Sequence, residues 1–276
     1  MIGVELFSGA GGMSLGAMLA GIETKAAVEI NGYAATTFAT NIKTTTLVVD
    51  DIRNIKSFNV GKKEPKILFG GPPCQGFSSS NQKTRSIENP QNWLFKEFVR
   101  CAKLLMPDWI VIENVKGFVD MQSGFFMNEL FKDLNKLGYT INYKILNAID
   151  YGVPQKRERV FIIASLHGIA FSFPLPINNG HVSVRDAIFD LPVLSNGAIK
   201  HKMDYRCPPV SHYGKGMRGK KKKALNNYVT KNNDVVIERY GYIPQGGNWG
   251  RQRLRVVNFR LSLPPFAGQF SIITTM

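Results

Sequence analysis

Short apolar runs rich in β-branched and aromatic residues alternate with helical patterns over the first 165 residues. Such strands alternating with helices are typical of an α/β fold built on a doubly wound, mostly parallel sheet. Ligands of such sheets bind beyond the carboxyl ends of the strands. The apolar runs predict strands near residues 2–7, 25–30, 46–50, 66–69, 109–113, 141–148 and 159–165, and the helical patterns predict helices near 13–20, 31–40, 92–106 and 124–137.

The pattern changes near residue 171. Prolines at 174 and 176, followed by an Asn-Asn-Gly sequence at 178–180, indicate a linker. Residues 184–188 then predict a short helix. The sequence therefore predicts a larger domain over 1–170 and a smaller one over 171–276.

Composition limits the class of protein. With 276 residues, 44% of them hydrophobic, the chain can bury a sizeable core. No run approaches the roughly 18–20 apolar residues of a membrane span, and the first residues resemble a strand rather than a secretion signal. The three cysteines include no Cys-x-x-Cys pair. We therefore expect a cytoplasmic protein with no membrane segment, no disulfide framework and no metal.

Charge is unevenly distributed along the chain. The net charge is +15, and residues 1–170 hold 19 basic and 15 acidic side chains, whereas residues 171–276 hold 16 and 5. Such an asymmetry is typical of a nucleic-acid-binding face. A solvated surface or a membrane-surface patch is the alternative on charge alone.

A rigid loop follows the fourth predicted strand and contains one thiol. Residues 70–78 read Gly-Gly-Pro-Pro-Cys-Gln-Gly-Phe-Ser, with the thiol at Cys74. The prolines fix φ, and the glycines permit tight turns and the close approach of a flat ligand. A buried structural cysteine is the alternative, but the position at a strand-to-loop junction favours a reactive thiol.

The first two strands end in residues suited to a cofactor. Residues 7–12, Phe-Ser-Gly-Ala-Gly-Gly, form a glycine-rich turn, but Ser14 breaks the G-x-G-x-x-G fingerprint, which disfavours a nicotinamide cofactor. The second strand ends at Glu29, where an acid binds ribose hydroxyls in this architecture. Ile30 would offer an apolar face to an adenine. A helix cap or an exposed charge is the alternative for each strand-tip acid.

Charged residues also follow two later strands. The apolar strand 109–112 ends at Glu113, and a buried acid there is costly unless it has a function. Arg157 and Arg159 are two residues apart at the start of the last strand, so they share one face and can act at one site. A solvated charge run is the alternative reading of these arginines.

These motifs resemble those of the DNA cytosine-5 methyltransferases of bacterial restriction-modification systems. Residues 70–78 are similar to the family's Pro-Cys-Gln nucleophile loop, and residues 7–12 to the F-x-G-x-G-G loop of S-adenosylmethionine-dependent methyltransferases. Residues 113–115 resemble the E-N-V motif, and residues 155–159 the Q-x-R-x-R motif. The resemblance covers roughly residues 2–165 most specifically.

The resemblance implies a Rossmann-like catalytic domain that transfers a methyl group from S-adenosylmethionine to C5 of a flipped cytosine in duplex DNA. It implies that Cys74 forms a covalent adduct at C6, that protonated Glu113 donates to N3, and that Arg159 holds O2 with Arg157 nearby. The implied cofactor-binding residues are Phe7, Gly9, Gly11, Gly12, Glu29, Ile30, Asp51, Ile52, Pro73 and Leu94. The DNA-binding residues expected from the resemblance and the charge are Gln75, Ser78, Lys215, Arg218, Lys220, Lys221, Lys222 and Lys223.

Residues 180–275 resemble the target-recognition region of bacterial members, and 243–249 match an I-P-x-G-G-N-W stretch of one subgroup. The family's following R-E-x-A-R-L-Q-x-F-P and G-N-A-V-P motifs are not found, so an incomplete recognition domain is expected. We expect the missing segment to leave the first strand and helix uncovered, and expect weak activity unless a second polypeptide supplies it. The alternatives are a tRNA cytosine-5 methyltransferase and a non-catalytic DNA-binding protein.

Overall fold

A computed structural model describes residues 1–61, 63–73, 90–177, 180–244 and 247. The chain divides into two compact units, each with its own internal contacts. The first unit contains Met1–Gly152 and Lys156–Asn179, and the second contains Val153–Gln155 and Gly180–Met276.

A seven-stranded sheet organises the first unit, with strand order β3-β2-β1-β4-β5-β7-β6. Strand β7 runs antiparallel to both of its neighbours, and the other pairs are parallel. The expected doubly wound, mostly parallel sheet is therefore confirmed. The strands are β1 (Ile2–Leu6), β2 (Glu23–Glu29), β3 (Thr46–Val49), β4 (Lys66–Gly70), β5 (Trp109–Val115), β6 (Thr140–Asn147) and β7 (Glu158–Ser165).

Helices connect these strands and cover both faces of the sheet. The main core joins β1, β4, β5 and β7 to aromatic side chains such as Phe98 and Phe126. A smaller core on the opposite face packs Phe38 and Ile42 against Ala27 of β2. The helices are α1 (Gly12–Leu19), α2 (Gly32–Asn41), α3 (Leu94–Leu105), α4 (Gly117–Asp120) and α5 (Phe125–Lys136).

The position of β1 corrects one expectation. All five residues of β1 are buried, because the strand lies between β2 and β4 and contributes to the main core. The expectation that this strand is uncovered is therefore wrong. Helix α1 does expose apolar side chains, since Met18 is 41% and Leu19 is 78% exposed. Cys101, expected in the core, is fully buried in α3.

The second unit contains short elements. Strands β8 and β9 form an antiparallel pair, and helices α6 and α7 pack together. Ser183 and Asp186 form a reciprocal capping box at the start of α6, which explains the helix predicted there. The elements are α6 (Val184–Ile188), β8 (Ile199–Met203), α7 (His212–Arg218), β9 (Ala224–Tyr228) and α8 (Asp234–Gly241).

Among the described residues, no helix is both long enough and apolar enough to cross a membrane.

Candidate active site

The turn between β1 and α1 leaves space for a ligand. Phe7, Gly9 and Gly11 all have left-handed φ angles, of 56°, 54° and 92°. A Cβ at Gly11 would lie 2.8 Å from an Ile42 side-chain carbon, so this position requires glycine. At Gly9 and Gly12 a Cβ would meet no atom within 4 Å. The turn is therefore open where the sequence predicts a cofactor.

Glu29 connects this turn to the end of β2. Its Oε2 accepts a hydrogen bond from the Gly9 backbone N–H at 2.7 Å, and its Oε1 accepts one from Asn31 at 2.7 Å. The residue is only 9% exposed. Each carboxylate oxygen keeps a second acceptor site, so Glu29 can still accept hydrogen bonds from a diol. Ile30, the next residue, is 66% exposed and offers an apolar surface.

Asp51 lies at the end of β3, where an adenine contact is predicted. Its carboxylate accepts a hydrogen bond from the Arg53 backbone N–H at 2.9 Å and pairs with the Arg53 guanidinium at 2.5 Å. The Arg53 hydrogen bonds lower the pKa of Asp51 to about 2. The carboxylate is therefore a permanent acceptor, although Arg53 already occupies part of it. Ile52 beside it is buried.

The two remaining predicted cofactor residues are half-buried. Pro73 lies in the loop after β4, and Leu94 is the first residue of α3 and packs against the main core. Their roles toward a cofactor stay predictions.

Sequence reasoning missed a buried acid beneath the glycine-rich turn. Glu5, in the middle of β1, is 1% exposed, and the Ser14 hydroxyl of α1 donates a hydrogen bond to its carboxyl group. Burial, together with a smaller effect of the Glu29 charge, raises the pKa of Glu5 to about 7. An acid inside an otherwise apolar five-residue strand was the signal that could have identified it.

Glu113, Arg157 and Arg159 come together on one face of the sheet. Glu113 of β5 pairs in register with Phe161 of β7, and Val115 pairs with Arg159, which makes Glu113 and Arg159 diagonal neighbours. Oε1 of Glu113 lies 2.9 Å from Nε of Arg159 and 3.8 Å from a terminal nitrogen of Arg157. Burial and the nearby Arg159 charge lower the pKa of Arg157. The predicted trio therefore shares one site.

This trio lines a cavity of about 290 Å³. Such a volume is at the small end of the range for ligand pockets, as suits a small flat group. Three polar side chains on mainly apolar walls can fix the orientation of a heterocycle by its hydrogen-bonding edge. The other lining residues, which sequence reasoning missed, are Leu146, Ala148, Tyr151 and Phe161.

Tyr151 is held in that wall by its hydroxyl, which donates a hydrogen bond to the Pro174 carbonyl at 3.0 Å. The neighbouring turn is fixed by Asn147, whose side-chain oxygen accepts a hydrogen bond from the Arg157 backbone N–H at 3.0 Å. The segment between β6 and β7 thus positions both the aromatic wall and the first arginine. Its sequence gave no periodic signal.

The loop after β4 begins beside Glu113. The Asn114 side chain is buried and donates a hydrogen bond to the Pro72 carbonyl at 3.3 Å. A Cβ at Gly71 would lie 3.1 Å from Oε2 of Glu113, so the glycine allows this close approach. Cys74, Gln75 and Ser78, which follow in this loop, lie outside the described residues.

The predicted DNA-binding cations of the second unit differ in their surroundings. Lys215 on α7 is exposed, as is the lysine run Lys220, Lys221, Lys222 and Lys223 between α7 and β9. Within the run, Lys223 lies 2.6 Å from Asp204. Arg218 differs from these lysines because its guanidinium contacts protein groups. Of residues 243–249, only 243, 244 and 247 are described.

Residues 1–254 match the family model described as C-5 cytosine-specific DNA methylase. The chain belongs to this family. C-5 cytosine-specific DNA methylases use S-adenosylmethionine as methyl donor. The open turn at Gly9 and Gly12 and the acceptors of Glu29 fit the ribose and amino-acid parts of such a cofactor.

Two curated relatives illustrate the similarity to this C-5 cytosine-specific DNA methylase. The chain is 37% identical over 199 residues to the Type II methyltransferase M1.HphI of Haemophilus parahaemolyticus, covering 70% of this chain and 54% of the relative. It is 31% identical over 258 residues to M.DdeI of Desulfomicrobium norvegicum, covering 88% and 61%. The chain thus spans little more than half the length of these relatives.

A solved structure agrees with the methylase fold. It is described as a DNA modification methyltransferase encoded within a prophage (E. coli), and it superimposes with a TM-score of 0.72 at 26% identity. The match covers 88% of this chain and 75% of that protein. In the described part of the chain, no group of three or more His, Cys, Asp or Glu side chains could hold a metal ion.

Proposed function

We propose that this protein transfers a methyl group from S-adenosylmethionine to C5 of cytosine in duplex DNA. The observation that carries the proposal is the contact of Glu113 with Arg159 and Arg157 in a small cavity with apolar walls. A carboxyl group can serve N3 of a cytosine while a guanidinium serves O2. Family membership and the relatives, which are named as methyltransferases, support the same reaction.

In this proposal the cofactor is held at the ends of β1, β2 and β3. Glu29 accepts hydrogen bonds from the ribose hydroxyls, Ile30 contacts the adenine face, and Asp51 accepts from the exocyclic amine. Gly9 and Gly12 leave room for the amino-acid part. When bound, S-adenosylmethionine supplies an electrophilic methyl group on a sulfonium.

The residues of the base pocket make C5 reactive. C5 of cytosine is a weak nucleophile, so the Cys74 thiolate first adds to C6, forming an S–C6 bond and moving the ring electrons toward N3 and C5. Glu113 donates a proton to N3 as this charge develops, and Arg159 hydrogen-bonds O2 with Arg157 beside it. After C5 is methylated, a base removes the C5 proton and the S–C6 bond breaks, which regenerates the thiolate.

The base must leave the duplex for this chemistry, because C5 and C6 of a stacked cytosine cannot reach a side chain in a pocket. Lys215 and the lysine run supply contacts to phosphates that hold the duplex in place. Gln75 and Ser78 of the nucleophile loop are proposed to contact the flipped nucleotide strand.

Two finer proposals accompany this function. First, full activity requires the segments that the relatives carry beyond the matched region, contributed by a longer chain or by a second polypeptide. The exposed Met18 and Leu19 on α1 give such a segment an apolar surface to cover. Second, the protein acts in the cytoplasm, where a nucleophilic thiol stays reduced.

The test is a methyl-transfer assay with tritiated S-adenosylmethionine, using unmethylated duplex DNA and, in parallel, tRNA. The labelled nucleic acid is digested and its nucleosides are separated. The proposal expects label in 5-methyldeoxycytidine and none in tRNA. Label in tRNA alone would favour the RNA-modifying alternative, and binding to DNA without label, with all family segments present, would favour a non-catalytic protein.

A further inference from the structure

Three arginines surround the contact between α6 and α7 in the second unit, and they are not equivalent. The two helices meet closely: the Ser211 hydroxyl donates a hydrogen bond to the Asp186 carbonyl at 2.6 Å, and a Cβ at Gly214 would lie 2.9 Å from that carbonyl oxygen. Phe189 and Asp190 follow α6 directly. This packing fixes the positions from which the arginine side chains extend.

Arg185 and Arg206 both stack on the ring of Phe189. Their guanidinium carbons lie 4.0 Å and 4.1 Å from the ring centre. Two guanidinium groups cannot occupy one face of a ring at this distance, so we place them on opposite faces. Arg185 precedes Phe189 by one helical turn, and Arg206 is fixed by a hydrogen bond from its backbone N–H to the Asp190 carbonyl at 2.8 Å.

Arg218, in contrast, is committed to the protein interior. It stacks on Tyr205 at 3.8 Å, donates a hydrogen bond to the Cys207 carbonyl at 3.2 Å, and lies 3.6 Å from the carboxylate of Asp190. Asp190 is 4% exposed, so this pairing compensates a buried charge. We therefore assign Arg218 a structural role in place of the DNA contact that the sequence predicted.

The guanidinium groups of Arg185 and Arg206 are available to a ligand. Within the described residues, neither side chain forms an ion pair within 4 Å or a side-chain hydrogen bond, and both residues are exposed. The nearby carboxylates are occupied, since Asp186 caps α6 and Asp190 pairs with Arg218. A guanidinium that stacks on a ring keeps its N–H donors free at its edge.

We propose that Arg185 and Arg206, held on either side of Phe189, form a phosphate-binding site for the backbone of the DNA substrate. The inference rests on the proposed function, and it names two cations that neither the sequence motifs nor the lysine run contains. Two like charges no more than about 8 Å apart, the sum of the two ring distances, repel each other, and an anion relieves that repulsion.

The remaining charge of this unit favours a polyanion as the ligand. Residues 180–244 contain twelve Lys and Arg side chains against five Asp and Glu. Stacking also lowers the conformational freedom that an arginine loses when it binds, which is how a preformed site gains affinity. Because phosphates carry no base identity, this site contributes to affinity at every sequence and not to target choice.

The test is duplex DNA binding by the full chain, measured by fluorescence anisotropy with a random-sequence duplex over a series of salt concentrations. The variants are Arg185→Gln, Arg206→Gln and the double variant. Lys103→Gln, an exposed lysine of α3 in the first unit, is the charge-matched control. Each phosphate contact adds about 0.9 to the slope of log K against log salt.

We expect each single variant to reduce that slope by about 0.9 and the double variant by about 1.8, with the control unchanged. The double variant Arg185→Lys, Arg206→Lys should restore the slope but not the full affinity, because lysine keeps the charge and loses the planar stack. This second pair also covers a loss of folding in the Gln variants, checked by circular dichroism.

A slope in the folded double Gln variant equal to that of the wild type would overturn the inference and leave the proposed function intact. If the unmodified protein binds duplex DNA without any salt dependence, both the inference and the proposed DNA substrate are wrong. Equal loss of slope in Lys103→Gln would also overturn it, since the effect would then come from net charge alone.

Discussion

Replacing Glu5 with glutamine should make the protein's stability less dependent on pH. Glu5 is almost completely buried in β1, and burial raises its pKa to about 7 from an ordinary value of 4.5. In the unfolded chain the carboxyl group is hydrated and ionises near that ordinary value. The folded state therefore retains a proton that the unfolded state releases between about pH 4.5 and 7.

The sign follows from this difference. A raised pKa in the folded state contributes stability that is fully present below the unfolded value and is lost as the pH rises through the folded value. A difference of 2.5 pH units between 4.5 and about 7 corresponds to roughly 3 kcal/mol of unfolding free energy at most. Glutamine has a similar shape and no charge, so it avoids this loss.

The assay is urea unfolding followed by circular dichroism at pH 5, 6, 7 and 8, for the wild type, Glu5→Gln and Glu23→Gln. Glu23 lies at the exposed start of β2 and is the control for a change in net charge. We expect the free energy of Glu5→Gln relative to the wild type to increase by roughly 2–3 kcal/mol from pH 5 to pH 8. Any cost of burying the amide is independent of pH and appears as a constant offset.

A constant difference between Glu5→Gln and the wild type across this pH range would refute the reasoning. It would mean that the Glu5 carboxyl group has the same proton affinity in the folded and the unfolded state. The same increase in Glu23→Gln would attribute the effect to net charge.

Three other predictions concern the candidate site. Glu29→Ala should weaken S-adenosylmethionine binding by about 1–3 kcal/mol in calorimetry, because acceptors for the ribose are lost; unchanged affinity would place the ribose elsewhere. Gly71→Ala should lower the rate of methyl transfer without changing DNA affinity, because the new methyl group would lie 3.1 Å from the Glu113 carboxylate; an unchanged rate would show that Glu113 tolerates displacement. Neutralising the lysine run should weaken DNA binding equally for all sequences and flatten its salt dependence, and a changed target sequence with an unchanged salt slope would instead make the run a base reader.

Much of the first unit was predictable because its signals are local or depend on strand order. Each of the seven strands is a short apolar run, and the structure has a strand at each predicted position. The meeting of Glu113 with Arg159 followed from two strand-end motifs, since alternate residues of a strand share a face. Antiparallel β7 could also be anticipated, because a short connection after β6 favours antiparallel neighbours.

The features that were missed depend on contacts between segments distant in sequence. Arg185 and Phe189 have helical spacing that can be read directly, but Arg206 comes from another segment and joins them only through packing. Tyr151 lies in an irregular turn, where no periodicity indicates which way a ring points. The charge pattern identified the second unit as basic, yet it could not separate the committed Arg218 from the available arginines.

The most direct test of the central claim is to trap Cys74 on its substrate. Duplex DNA in which 5-fluorocytosine replaces cytosine throughout has no C5 proton to lose, so the S–C6 bond cannot be broken after methylation. With S-adenosylmethionine present, the account predicts a covalent protein–DNA complex that survives denaturing electrophoresis, maps to Cys74 by mass spectrometry and is absent in Cys74→Ser, which still binds DNA. A complex of equal yield in Cys74→Ser, or attachment at another residue, would contradict the account.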